Sequence, residues 1–501
     1  MLFNSFEFIF IFLPLAVFCF IYTEKYFSKK TALITIVLFS AWFYASWNPA
    51  YLVLLIASIA INYSAGILVG KNLPVNIRKL IMVAVIFINL CLLIYFKYLA
   101  YLLMILGLPP VNLGGWTFES LALPLGISFW TFQQINFLLE RFNNRKHNLD
   151  FLSYTSVVLF FPHLIAGPIV RTSELAPQIH KIGSRARDLS SDLTIGIFLF
   201  AIGLFKKVIL ADNLSPIPNA LFSNPNQSDV LFGWFAIVSY MLQLYCDFSG
   251  YCDMGMGLAK MFGFTFPINF NSPLRATNFV DFWRRWHITL TRFFTDTLHA
   301  PLTISLLRKF PNASENITAS IPIIFTFFIT GIWHGAGNQF IIFGALNGII
   351  MAVCIIYMRY VPYSILPAPV LKMLNLLLVS FVFLFFRAPT LSVALEISYS
   401  LFDLMGLKSA HESISQIYSQ FGYSRILLFF FVLYLCLFTN NVYKNIQNIF
   451  QPAGFRVPLI NPKSFSIKFD LKTAIFTAII FFISICALLN AQSSEFIYFQ
   501  F

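Results

Sequence analysis

Thr330-Gly331-Ile332-Trp333-His334-Gly335-Ala336-Gly337 closes an apolar run from Ile321 to Ile329 and is followed by another from Phe340 to Phe343. A histidine at the end of a membrane-length apolar stretch is expensive unless it faces a polar cavity or the protein interior. Three glycines stand among the four residues on either side of it, which leaves room for a second group to approach the ring. Imidazole, with an unperturbed pKa of about 6.5, suits proton transfer near neutrality. The stretch reads as a membrane helix ending on a buried proton-transfer group. A core histidine hydrogen-bonded to a neighbouring helix is the alternative.

The rest of the chain supplies the membrane. It is 58% hydrophobic and 11% charged, the latter against about 25% in a soluble domain. Apolar runs of about 15 to 25 residues recur throughout, long enough to cross a bilayer as helices. This is the pattern of an all-α polytopic membrane protein. Met1 to Glu7 carries no positive charge, no small-residue cleavage site follows, and Lys29 and Lys30 come after the first run. That start reads as a retained first helix with its N-terminus outside. The net charge of +13 gathers in loops, around Lys25, Lys29 and Lys30, around Lys71, Arg78 and Lys79, and around Arg141, Arg145 and Lys146. Such clusters report cytoplasmic loops and argue against a nucleic-acid partner. The seven cysteines lie mostly inside apolar runs and read as small buried hydrophobes.

Alternating sides from one basic loop to the next predicts about twelve crossings with both termini periplasmic. Their centres are Phe8 to Tyr22, Ala32 to Tyr44, a third ending at Lys71, Ile81 to Ile105, a fifth ending at Arg141, and Leu193 to Leu210. The others are Leu231 to Tyr245, Ile321 to Trp333, Phe340 to Tyr357, Leu371 to Phe386, Ile426 to Phe438 and Ala474 to Leu489. Lys97, in the outer half of the fourth, is expected to snorkel. Phe151 to Arg171, interrupted by Pro162, Gly167 and Pro168, and Asp253 to Gly263, with three glycines, are expected to be re-entrant. Phe282 to Leu307 mixes tryptophans and phenylalanines with arginines, as an interfacial amphipathic helix would. One domain is expected around a central tunnel: peripheral helices over 1–150, a core over 151–390, and C-terminal helices and a tail over 391–501. No second half mirrors the first, which weakens a repeat-built transporter.

His287, in Phe282-Trp283-Arg284-Arg285-Trp286-His287, is the natural companion of His334. No carboxylate or cysteine stands at zinc-like spacing beside either, so two proton handlers at one tunnel are more economical than a metal site. His163 reads as structural, and His147, His180 and His411 lie in polar stretches.

The chain resembles the membrane-bound O-acyltransferase family, in the bacterial branch that contains the membrane subunits of alginate and peptidoglycan O-acetylation and of lipoteichoic acid D-alanylation. Matching stretches are Phe160 to Arg171 (FFPHLIAGPIVR), Asp247 to Gly263 (DFSGYCDMGMGLAKMFG), Asn269 to Leu290 (NFNSPLRATNFVDFWRRWHITL), Gly331 to Gly337 (GIWHGAG) and Phe385 to Ala388 (FFRA). They run in family order. The resemblance implies acyl transfer from a thioester, acetyl-CoA or an acyl carrier protein, with no bound cofactor. His334 matches the family's essential histidine, and His287 its second polar position, His or Asn in different branches. Asn269, Asn271 and Trp333 are candidates for holding the substrate or its developing oxyanion. Arg284 and Arg285 are candidates for an anionic donor carrier, in competition with plain positive-inside anchoring. Tyr498, in Phe496-Ile497-Tyr498-Phe499-Gln500-Phe501, resembles a C-terminal tyrosine suspected as an acyl relay in this branch; an aromatic belt is the plainer reading. The implied setting is the bacterial inner membrane, among its lipids, with a periplasmic SGNH-type esterase-like partner that acetylates a polysaccharide. A membrane transporter or channel without chemistry, and a protein or lipid acylator, are the other readings.

Overall fold

The computed structural model describes residues 1–108, 112–113, 116–117, 123–144, 149–165, 167–183, 188–227, 229–361, 366–403, 410–442, 470–490 and 494–497. Tyr498 and His147 lie outside them. The N-terminal part builds α1 (Phe8–Tyr26), α2 (Lys29–Ala45), α3 (Pro49–Gly70), α4 (Val75–Ile105) and α5 (Ile127–Asn143). The middle holds α6 (Phe151–Val158), α7 (Phe161–Leu164), α8 (Thr172–Ile179), α9 (Leu189–Leu214), α10 (Pro216–Ser223) and α11 (Val230–Met261). After it come α12 (Phe279–Arg285), α13 (Ile288–Phe294), α14 (Ala300–Lys309), α15 (Glu315–His334) and α16 (Asn338–Tyr360). The chain continues through α17 (Ala368–Arg387), α18 (Leu391–Ser400), α19 (His411–Phe438) and α20 (Leu471–Asn490). A two-rung hairpin pairs Asn112 with Thr117 and Leu113 with Trp116.

Among the described residues, 10 helices are long and apolar enough to cross a membrane. Two further expected crossings, α2 and α5, are helices of 17 residues each. Starts are written in the sequence: the side chains of Ser28, Asn48, Asp229 and Ser314 each accept a hydrogen bond from a backbone N–H in the first turn, satisfying a donor the helix cannot. Basic clusters expected to share one side do converge. Arg78 donates to the carbonyls of Val69 and Phe142 at 2.6 and 2.7 Å, and Arg141 to that of Gly66 at 3.2 Å.

The architecture is organised around α11, with 78% of its membrane-length window buried, against 17% for α20 at the periphery. Two expectations fail on it. The seventh crossing does not stop at Tyr245, and Asp253 to Gly263 is not re-entrant; α11 runs on to Met261 as one helix of 32 residues. Its glycines make a seam rather than a break. A methyl group on Gly250 would lie 2.7 Å from the carbonyl oxygen of Gly203, so only glycine lets α9 approach this closely. Phe151 to Arg171 is broken into α6, α7 and a non-helical stretch in which Gly167 to Val170 are buried, which suits irregular backbone walled in by protein. The eleventh expected crossing, Ile426 to Phe438, also lengthens: α19 begins at His411 and bends at Gly422, whose φ of +71° only glycine adopts readily.

Candidate active site

His334 is the last residue of α15 and is buried. Its ring meets Phe386 edge-on at 5.0 Å and Phe343 at 5.7 Å between centroids, with Trp333 tilted at 4.7 Å. Phe386 belongs to the FFRA stretch, which gives that motif a place at the histidine. At two of the flanking glycines the expected room for a second group beside the ring is already taken. A methyl group on Gly331 would lie 2.6 Å from Cα of Gly344, and one on Gly335 2.2 Å from the Phe340 ring. Both spaces are filled by α16.

The end of α15 is held by a residue assigned a different task above. Lys97 does not snorkel: its Nζ donates to the carbonyls of Trp333 at 2.7 Å and His334 at 2.8 Å. Tyr98 donates its hydroxyl to the carbonyls of Ile332 at 2.9 Å and Trp333 at 3.1 Å. Helix-terminal carbonyls have no intrahelical donors, and a cation is favoured there. Both residues sit on a π-turn, Ile94–Tyr98, inside α4; such turns displace side chains from the regular helical face. A lysine near a span end looks the same in sequence whether it snorkels or caps, so only its position within an apolar run was a signal.

His287 is held in another way. It occupies the junction of α12 and α13 with φ +43° and ψ +52°, a left-handed conformation that costs a non-glycine residue about 1–2 kcal/mol. The expected interfacial helix over Phe282 to Leu307 is therefore broken at His287, and Trp283, Trp286, Phe293 and Phe294 are buried rather than lying on a surface. What stabilises the break is Asn269. Its backbone carbonyl accepts from Ile288 N at 2.9 Å, while Asn271 N donates to the Arg285 carbonyl at 2.9 Å. Its side-chain Oδ1 accepts from Thr289 N at 3.2 Å and Thr289 Oγ1 at 2.9 Å, and lies 3.1 Å from His287 Nδ1. Because Thr289 N can only donate, Oδ1 is the acceptor, and Nδ1 must carry the proton toward it. The basic lone pair of a neutral His287 is then on Nε2.

Aromatic rings join the two histidine positions: Trp286, next to His287, meets Phe383 at 5.3 Å, and Phe383 lies 5.9 Å from Phe386, whose edge meets His334. A cavity of about 290 Å³ reaches it, lined by His334, Trp333, Lys97, Phe129, Ser128 and Trp47 among others. The indole N–H of Trp333 is buried with no hydrogen-bond acceptor among the described residues, a cost that an incoming oxygen would relieve. A second cavity, about 400 Å³, is lined by Arg284, His299, Thr291, Phe294, Thr326 and Thr330. Aromatic rings stand between them. Trp333 stacks on Phe132 at 5.2 Å, Phe132 on Phe293 at 4.2 Å, and Phe294 meets Trp333 edge-on at 6.2 Å.

The other expected residues divide. Arg284 is exposed at the second cavity. Arg285 is engaged by Asp281 at 2.9 Å, and Arg292 by both oxygens of Glu174 at 2.6 and 3.1 Å, so neither is a ready anion receptor. Asn271 contributes its backbone to the His287 junction and is half-buried. His163 is buried with Nδ1 3.0 Å from Gln133 Nε2, away from the two histidines' network; His180 and His411 are exposed. His299, lining the second cavity, was passed over in the sequence because nothing but that cavity distinguishes it. Among the described residues no three His, Cys, Asp or Glu side chains converge as a metal site would need.

A multi-pass helical membrane protein with a buried histidine on a cavity, beside a second histidine and a lysine, has the makings of a group-transfer enzyme. Residues 89–388 match the model of the membrane-bound O-acyltransferase family, and the chain belongs to that family. It is 35% identical to the peptidoglycan O-acetyltransferase of Helicobacter pylori, over 82% of each chain. It is 29% identical to the probable alginate O-acetylase AlgI of Pseudomonas putida over the whole of both. The teichoic acid D-alanyltransferase of Bacillus subtilis is 29% identical over 45% of this chain and 58% of its own. The protein is a multi-pass membrane O-acyltransferase.

Proposed function

We propose that this protein takes an acetyl group from a cytoplasmic thioester, acetyl-CoA or acyl carrier protein, and passes it across the bacterial inner membrane for O-acetylation of a cell-envelope polysaccharide. The observation that carries the reading is His334 on its cavity, with Lys97 capping its helix and His287 joined to it through Trp286, Phe383 and Phe386. His334 takes the proton of the attacking hydroxyl as the O–C bond forms. The carbonyl oxygen becomes an oxyanion facing the Trp333 indole N–H and the Lys97 charge. When the C–S bond breaks, the proton returns to the leaving thiolate. General base catalysis of this kind contributes about 10²–10⁴-fold.

In this reading the positive-inside pattern puts both termini in the periplasm and the Arg284 cavity toward the donor. The attacking hydroxyl is the phenol of Tyr498, whose aryl ester stays activated enough to pass acetyl onward. A periplasmic SGNH-type partner then places it on the sugar; peptidoglycan and an alginate-like exopolysaccharide, the acceptors in the relatives' names, are the two candidates. The test is base-labile acetate released from purified sacculi and from exopolysaccharide, wild type against His334→Ala at matched membrane levels. Loss from one fraction identifies the acceptor, whereas unchanged acetate in both ends the O-acetylation reading.

A further inference from the structure

The acyl-transfer steps leave one group of buried charges without a task. Lys207 of α9 lies 2.7 Å from Asp247 of α11 and 2.9 Å from Asp212, and Lys207 and Asp247 are almost wholly buried. Ions at membrane depth are costly unless every one of them is paired and hydrogen-bonded. The capacity these three have left is spent on a single short segment, residues 494–497. Ser494 Oγ donates to Asp212 Oδ2 at 2.7 Å, Lys207 Nζ to the Glu495 carbonyl at 3.0 Å, and Ile497 N to Asp247 Oδ2 at 3.0 Å. Phe496 is buried under Lys207, which lies 4.8 Å from its ring centroid, and meets Tyr251 edge-on at 4.4 Å. Asn4 adds a bond to the Ser494 carbonyl at 3.0 Å. Each of the four residues is thus held by name, and Glu495 lines the His334 cavity with Lys97.

Two features make this more than a folded chain end. The segment lies outside the stretch that the family model matches, yet it is fastened to Asp247 inside that stretch. Lys207 also sits on a π-turn, Lys206–Ala211, near the end of α9, and the same turn sends Lys206 to Asp253 at 2.6 Å. We propose that Lys207, Asp212 and Asp247 are a clasp that docks residues 494–497 at the mouth of the His334 cavity, and that the relay through Tyr498 depends on this docking. They are positioning residues, and the inference rests on the relay reading of Tyr498.

The test has a physical and a chemical arm. Ile497→Cys serves as a reporter for a membrane-impermeant maleimide, alone and combined with Lys207→Met. Ile497→Pro removes the N–H given to Asp247 while leaving all three charges in place. The clasp predicts labelling at least tenfold faster in the Lys207→Met background, and about a tenfold or greater loss of polymer-bound acetate in Ile497→Pro, since a hydrogen bond to a charged group is lost. Unchanged labelling overturns the docking, and full acetate in Ile497→Pro overturns its relevance to transfer. Should Lys207→Met fail to accumulate, the Ile497→Pro arm decides alone. Tyr498→Phe is run beside them: full activity there removes the relay, independently of whether the segment is docked.

Discussion

His334 and His287 are joined through a run of aromatic rings but are secured at opposite ends. His334 ends a regular helix, and its anchors run through the main chain, in the Lys97 and Tyr98 bonds to carbonyls of its last turn. Its ring is bounded by aromatic edges. His287 is pinned through its ring, by Asn269, and its main chain bears a left-handed strain. The His334 residue lines the cavity of about 290 Å³, where a reacting hydroxyl can reach it. A ring tied at Nδ1 is committed to one tautomer and presents one face. Within the proposed mechanism the contrast gives proton transfer to His334 and orientation or hydrogen bonding to His287.

The largest effect should come from the base itself. His334→Ala is expected to lose about 10²–10⁴-fold in acyl transfer at matched membrane levels; retention of more than a tenth would move the base elsewhere. Next is its anchor. Lys97→Met leaves the α15 carbonyls without their cation, and transfer should fall about tenfold to hundredfold, the cost of losing hydrogen bonds to a charged donor. The loss should appear in kcat more than in KM, because the reacting ring is displaced; a pure KM change would show that Lys97 binds substrate instead. The orienting histidine is expected to be graded. His287→Asn keeps a residue that tolerates a left-handed backbone, so it should retain several-fold more transfer than His287→Ala, and equal activity of the two would make the ring's geometry irrelevant. Smallest is Arg284→Ala at the second cavity, an exposed charge worth about 1 kcal/mol or less. It should raise KM for an anionic donor by a few-fold at low salt and little at high salt, whereas a kcat defect would place Arg284 nearer the chemistry.

Much of this was legible in the sequence. Apolar runs located the helices, and the two histidines stood out because polar residues in such runs are costly. What escaped shares a physical cause. A left-handed turn at a non-glycine residue leaves no mark in the sequence, so the Trp-rich stretch through His287 looked like one amphipathic helix. Glycines signal either a break or a close approach, and at Gly250, Gly331 and Gly335 the second meaning holds. Lys97 and Lys207 are displaced by π-turns, whose extra residue has no compositional signature. Asp247 lay in a quoted motif, but its partners are far away in the chain, at 207 and 497.

The stacked rings of Phe132, Phe293, Phe294 and Trp333 carry an electrical consequence. In the proposed reading the enzyme works from both faces of an energised membrane and risks becoming a leak, and each charge that slips through dissipates about 2.3 kcal/mol per 100 mV. In that reading an apolar wall between the two cavities is an insulator, one that an uncharged acyl group passes by side-chain rearrangement while hydrated ions do not. Phe132→Ala is therefore expected to make proteoliposomes lose an imposed proton gradient faster than wild type. An unchanged decay would mean that insulation lies elsewhere.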